Sequence, residues 1–191
     1  MEIRVASRTV AFWLVTYVFT ALMLGNTLPT PLYVIYQKQW HFSSGLITLI
    51  FATYAAGALA ALLLAGRASD QVGRRPVIAT ALALSTVSTV AFILASGVAW
   101  LFAGRLLSGL SAGLITGTGT ATLTELAGAQ SVRRASIVAT AATTGGLGLG
   151  PLVAGAFAQY APSPTHLVFE IYLILLAAGA VGLAMVPETV E

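Results

Sequence analysis

The chain has 191 residues, of which 58% are hydrophobic and only 8% charged. A soluble domain carries about 25% charged residues to solvate its surface, so a mean hydropathy of +0.91 excludes an ordinary water-soluble globule. The net charge of +3 does not imply a nucleic-acid surface either, because the basic residues lie in short segments between apolar runs.

Runs free of acidic and basic side chains cover residues 9–37, 39–66, 76–104, 106–124, 135–169 and the shorter 171–187. A helix crossing the hydrocarbon needs about 20 apolar residues at roughly 1.5 Å rise each. The pattern predicts six spans at about 9–36, 43–65, 76–96, 98–124, 135–160 and 167–186. Membrane strands would alternate with a period of two, and these runs do not. Arg4 and Arg8 precede an apolar stretch too long for a signal-peptide core and without an Ala-x-Ala site, so span 1 reads as uncleaved.

In span 1, Asn26, Thr27, Pro29 and Pro31 place polar groups and a distortion in the outer half. Irregular backbone at depth is tolerated where it lines a cavity; the prolines alternatively mark the helix end. Tyr54 in span 2 reads as a solute contact or as packing. The connection from Gly66 to Arg75 reads as a loop in which glycines permit a tight reversal. Span 4 carries Arg105 about seven residues in, where an arginine costs at least about 2.5 kcal/mol unless it is paired or wet. Two readings stand for it: a coupling or anion-binding cation facing the bundle interior, or a structural arginine tied to carbonyls. Gly109, Gly113 and Gly117, and then Gly146 and Gly150, recur at intervals of four, which allows close helix approach. Pro151 predicts a bend in span 5, with the surrounding glycines packing closely, in part against helices beyond this chain.

Glu125 is expected to pair with Arg133 or Arg134, Glu170 to lie near a membrane surface, and His41 and His166 to be solvated loop residues. With no cysteine, no His/Asp/Glu metal cluster and no nucleophile–base pair, neither a metal site, a cofactor nor an enzyme is indicated. If the N-terminus is cytoplasmic, Arg4, Arg8, Arg67, Arg74, Arg75, Arg133 and Arg134 all lie inside and only Lys38 outside. That asymmetry orients both termini toward the cytoplasm of a multi-pass protein in the cell (plasma or inner) membrane.

The segment Gly66-x-x-x-Asp70-x-x-Gly73-Arg74-Arg75, placed between spans 2 and 3 on the basic side, resembles the loop signature of the major facilitator superfamily. Arg105-x-x-x-Gly109 in span 4 is similar to a second family motif. The segment Gly146-x-x-x-Gly150-Pro151-x-x-Ala154-Gly155 is similar to the element of its proton-coupled antiporters, with alanine for one glycine. Thr124-Glu125-Leu126 followed by Arg133 resembles the family's connection between spans 4 and 5. The resemblance implies an all-α bundle of two three-helix repeats, the N-terminal half of a twelve-helix carrier. It implies alternating-access transport, as a proton-coupled efflux antiporter of small organic or drug-like compounds. A metabolite symporter half, or a non-transporting membrane interaction module, are the alternatives. Asn26, Tyr54 and Arg105 are then the transport residues. Gly66, Asp70, Gly73, Arg74, Arg75, Gly146, Gly150, Pro151 and Gly155 are the conformational ones. The implied partners are the bilayer, a small-molecule substrate, protons, and a second six-helix half or a homodimer partner. The open face is expected to carry Asn26, Arg105 and part of the 146–155 stretch, leaving Arg105 in need of that partner.

Overall fold

The computed structural model describes residues 6–128 and 131–188, with the backbone alone at 64–68 and 70. Seven α-helices follow one another: α1 (Arg8–Thr27), α2 (Pro29–Trp40), α3 (Ser44–Val72), α4 (Arg74–Ile93), α5 (Val98–Ala127), α6 (Val132–Tyr160) and α7 (Pro164–Ala184). Among the described residues there is no strand. Six helical stretches are long and apolar enough to cross a membrane, α1 and α2 counting as one of 33 residues, Arg8–Trp40. The chain is an all-α, multi-pass membrane protein.

The first span is interrupted because Pro29 and Pro31 have no N–H to donate to the carbonyls one turn earlier. Leu28 keeps right-handed helical angles (φ −49°, ψ −44°), so the ladder is broken without a turn. At its far end His41 adopts φ +50° and donates its N–H to Gln37 O at 2.9 Å, closing α2.

The connection from Gly66 to Arg75 differs from its reading as a loop. Helix α3 continues to Val72, so Gly66 is helical and the reversal is confined to Gly73. Arg67, Ala68 and Gln71 are good helix formers, none of the residues between is a proline, and a lone glycine costs a helix only about 1 kcal/mol. Gly73 has φ +102° and ψ 158°, a conformation open essentially to glycine alone.

Helix α5 lies at the centre of the bundle, against α1, α3, α4 and α6. Helix α5 packs most extensively on α3 and next on α4, and α1 packs on α6. Span 2 thus meets span 4, and span 5 meets span 1. Helices α4 and α7 pair behind them.

Both front pairings are set by absent side chains. A Cβ on Gly113 would lie 2.7 Å from the Ala61 Cβ and closer still to Ala58 O. One on Gly109 would overlap Tyr54 O. On α6, a Cβ on Gly146 would stand 2.7 Å from Thr20 O, and one on Gly150 would meet Leu24 O. Lipid offers no hydrophobic drive for helices to associate, so close backbone approach supplies the packing energy. Gly145, Gly148 and Gly155 meet nothing within 4 Å and lie on the open side of α6.

Gly113→Leu is therefore expected to destabilise the detergent-solubilised protein by about 1–3 kcal/mol, the range for overpacking. Gly155→Leu is expected to leave the melting midpoint in place. Equal thermal shifts in the two variants would refute this account of the packing.

Candidate functional site

Arg105 stands seven residues beyond Val98, the start of α5, so roughly 10 Å along the helix. It is 1% exposed, the largest fully buried side chain among the described residues. Its Nε donates to Tyr33 Oη, its Nη1 to Asn26 O, and its Nη2 to Thr30 Oγ1 at 3.3 Å. The guanidinium also lies over three rings, 5.2 Å from Tyr33, 5.0 Å from Phe51 and 5.6 Å from Tyr54. Among the described residues no carboxylate is within ion-pair distance of it. The charge is therefore neutralised by no counter-ion and is solvated by one carbonyl, two hydroxyls and an aromatic wall.

Asn26 and Arg105 do not lie on the open face. Asn26 is 3% exposed, and both residues are enclosed by α1, α2, α3 and α5. Arg105 has no need of a second molecule for its hydrogen bonds, because the broken first span supplies them. Asn26 contributes its backbone carbonyl, and its Nδ2 is a buried donor without an acceptor. Tyr54, half-buried, stands between the guanidinium and a cavity of about 190 Å³ lined also by Met23, Ala58, Ala112, Thr116 and Thr143. Sequence reasoning missed Thr30, Tyr33 and Phe51. The first two were findable, since Asn26, Thr30 and Tyr33 recur at intervals of four and three, a polar stripe on one helix face.

Pro151 is half-buried inside α6 and cannot bond Leu147 O. Thr27 Oγ1 of α1 lies 3.0 Å from that oxygen and takes its place. Gly146 and Gly150 thus serve this bundle's own α1–α6 contact, and only Gly155 among the motif glycines is left facing outward.

The second constellation lies at the terminal end of the bundle, where the start of α1 adjoins the end of α7 and Ala6 N donates to Met185 O at 3.0 Å. Arg74 donates through Nε (3.1 Å) and Nη2 (2.8 Å) to Glu125 Oε1 on α5, and through Nη1 to Ser69 Oγ on α3. The expected pairing of Glu125 with Arg133 or Arg134 is thus replaced by one with Arg74. The Glu188 carboxylate, four residues past α7, accepts the backbone N–H groups of Arg74 (2.8 Å) and Arg75 (3.1 Å). A carboxylate at a helix N-terminus is favoured by the helix dipole. In return, Arg75 Nη2 donates to Ala184 O, 3.0 Å away at the last turn of α7. Helices α4 and α7 so cap each other, and Gly73 leaves the room: a Cβ there would sit 2.7 Å from Glu188 Oε2. The side chain of Asp70 lies outside the described residues, as do those at 64–68.

Gly73→Ala is expected to destabilise the protein by about 1–3 kcal/mol through backbone strain. Glu188→Gln, which loses the charge and one of the two acceptor oxygens, should cost about 0.5–1.5 kcal/mol. Thermal unfolding in mild detergent checks the order; a larger loss in the Gln variant would overturn it.

With this geometry in view, known proteins place the chain. The Major Facilitator Superfamily profile matches residues 14–191. The "Multidrug transporter MdfA" of Yersinia pestis is 29% identical over 189 residues, which is 97% of this chain and 46% of that protein. The "Multidrug resistance protein MdtL" of Escherichia coli is 41% identical over 71 residues, 37% of this chain and 18% of that one. The crystal structure of the human organic anion transporter MFSD10 (TETRAN) superposes with a TM-score of 0.78 at 20% identity, a likeness of fold. It spans 97% of this chain and 49% of the human one. The chain therefore covers about half the length of the MdfA relative and the human carrier. By its family profile, spread over nearly every span, the chain belongs to the Major Facilitator Superfamily, a family of carriers and not of enzymes.

Proposed function

We propose that these six spans form one half of a secondary transporter, a proton-coupled efflux antiporter of small organic or drug-like compounds working by alternating access. The observation that carries this reading is the buried Arg105 cluster beside a cavity. A permanent cation tied to span 1 beside its prolines links span 4 to the segment where the helical ladder is interrupted. A guanidinium remains protonated. Its role is therefore electrostatic: it sets the positive potential against which a titrating group or an anionic moiety is read, and it carries no proton itself.

The multidrug names of the MdfA and MdtL relatives support a drug-like substrate class. A second six-helix half, or a second copy, supplies the opposing wall of the pathway. The outward glycines Gly145, Gly148 and Gly155 and the exposed Leu59, Leu63 and Leu152 suit that contact. In this reading the terminal end faces the cytoplasm of the plasma or inner membrane. Its Arg8, Arg74, Arg75, Arg133 and Arg134 supply the positive-inside signal.

Two measurements test the proposal. In proteoliposomes holding the complete transporter under a pH gradient, Arg105→Ala should lower drug flux roughly tenfold or more, since hydrogen bonds to a charged group contribute about 1.5–3 kcal/mol. Arg105→Lys should recover little, because an ammonium cannot reproduce the planar fork. Full flux in the Ala variant at normal protein level would refute the coupling role.

Orientation is checked by single cysteines in this cysteine-free chain. A cysteine at exposed Gln71 should resist an impermeant maleimide in intact cells, whereas one at exposed Ser163 should react. The opposite labelling pattern would invert the topology.

A further inference from the structure

A crevice of about 130 Å³ opens at the terminal end, between the first turns of α1 and α6 and the last turn of α5. Arg8, Thr9, Phe12, Trp13, Ser131 and Arg134 line it. Both arginines are exposed, and the Arg134 guanidinium stands 6.0 Å over the Phe12 ring. Among the described residues neither has a carboxylate within ion-pair distance, and Glu125, the acid nearest this loop in sequence, is held by Arg74. Two cations thus converge on one small cavity that, among the described residues, no acidic side chain lines. Their mutual repulsion is relieved by an anion between them. The hydroxyls of Thr9 and Ser131 add neutral donors, and Ser131 immediately precedes α6, whose N-terminal dipole favours negative charge.

The surroundings distinguish a lipid from a soluble ion. Trp13 is 51% exposed and lies five residues, roughly 7 Å, deeper along α1 than Arg8. Val10, two residues deeper along α1 than Arg8, is 48% exposed. A basic rim above an exposed indole and Val10 reproduces the order of a phospholipid from phosphate to glycerol to acyl chain. A free phosphate would use the arginines and leave the rest without purpose. The geometry points to this crevice as a binding site for the phosphate headgroup of an anionic phospholipid, seated between Arg8 and Arg134.

The test uses the whole chain, delipidated and placed in phosphatidylcholine nanodiscs, with phosphatidylglycerol titrated in. Retained lipid is read by native mass spectrometry and stability by the melting midpoint. Phosphatidylglycerol should be retained and should raise the midpoint, while millimolar inorganic phosphate in pure phosphatidylcholine should do neither. The Arg8→Gln/Arg134→Gln pair should weaken lipid binding roughly thirtyfold, at about fivefold for each basic side chain. Arg8→Lys/Arg134→Lys should retain most of the binding, and Arg133→Gln all of it. Unchanged lipid retention in the double Gln variant overturns the site. So does equal loss in the double Lys variant, and an equal effect of inorganic phosphate overturns the lipid assignment.

Discussion

Inside hydrocarbon a backbone carbonyl has no water to turn to, and each one a proline frees must be met from elsewhere in the protein. This bundle contains two such breaks on facing spans: at one the freed carbonyl is met from another helix, and at the other a side chain from another helix bonds into the interrupted segment. At Pro29 and Pro31 the first span loses its ladder, and Arg105 reaches over from α5 to Asn26 O, Thr30 and Tyr33. At Pro151 the fifth span releases Leu147 O, and Thr27 of α1 meets it. The first span thus borrows a donor from the fourth and lends one to the fifth. Three helices are tied together beside the two interrupted segments.

The glycines make these exchanges geometrically possible. Gly109 and Gly113 bring α5 onto the backbone of α3, and Gly146 and Gly150 bring α6 onto that of α1. Without the first contact, Phe51 and Tyr54 would not close over the guanidinium; without the second, Thr27 would not reach Leu147. The cost of burying a charge in the bilayer is met by aromatic faces and dipoles rather than by a carboxylate. The field of Arg105 is consequently left uncancelled by the described residues of these six spans.

At the terminal end the same economy appears in water-accessible form. Arg74 crosses to Glu125 on α5, while Glu188 and Arg75 let α4 and α7 cap one another. Gly73, where the chain reverses, lies at the centre of this junction, and glycine is the residue type that fits both its dihedral angles and the adjacent carboxylate. The junction binds spans 2, 3, 4 and 6 at one end. The arginine cluster binds spans 1, 2 and 4 within the membrane. The second and fourth spans share both.

What could be read from residues alone was whatever depends on near neighbours in sequence. The spacing of charges along the chain marks six apolar runs because a bilayer's thickness converts directly into residue number. Gly73 before two arginines announces a reversal, and an arginine in the middle of an apolar run announces a buried charge. The partners were not legible. Arg74 meets Glu125 across 51 residues and Glu188 across 114, instead of the nearby Arg133 and Arg134 meeting Glu125. Gly66 is helical because a continuous helix into α3's last turns outweighs one glycine's local preference. Arg105 faces inward, away from the open side, because α1, α2 and α3 close around it. Such choices depend on which helices abut and at what depth, and that is a property of the assembled bundle that no local run of residues encodes.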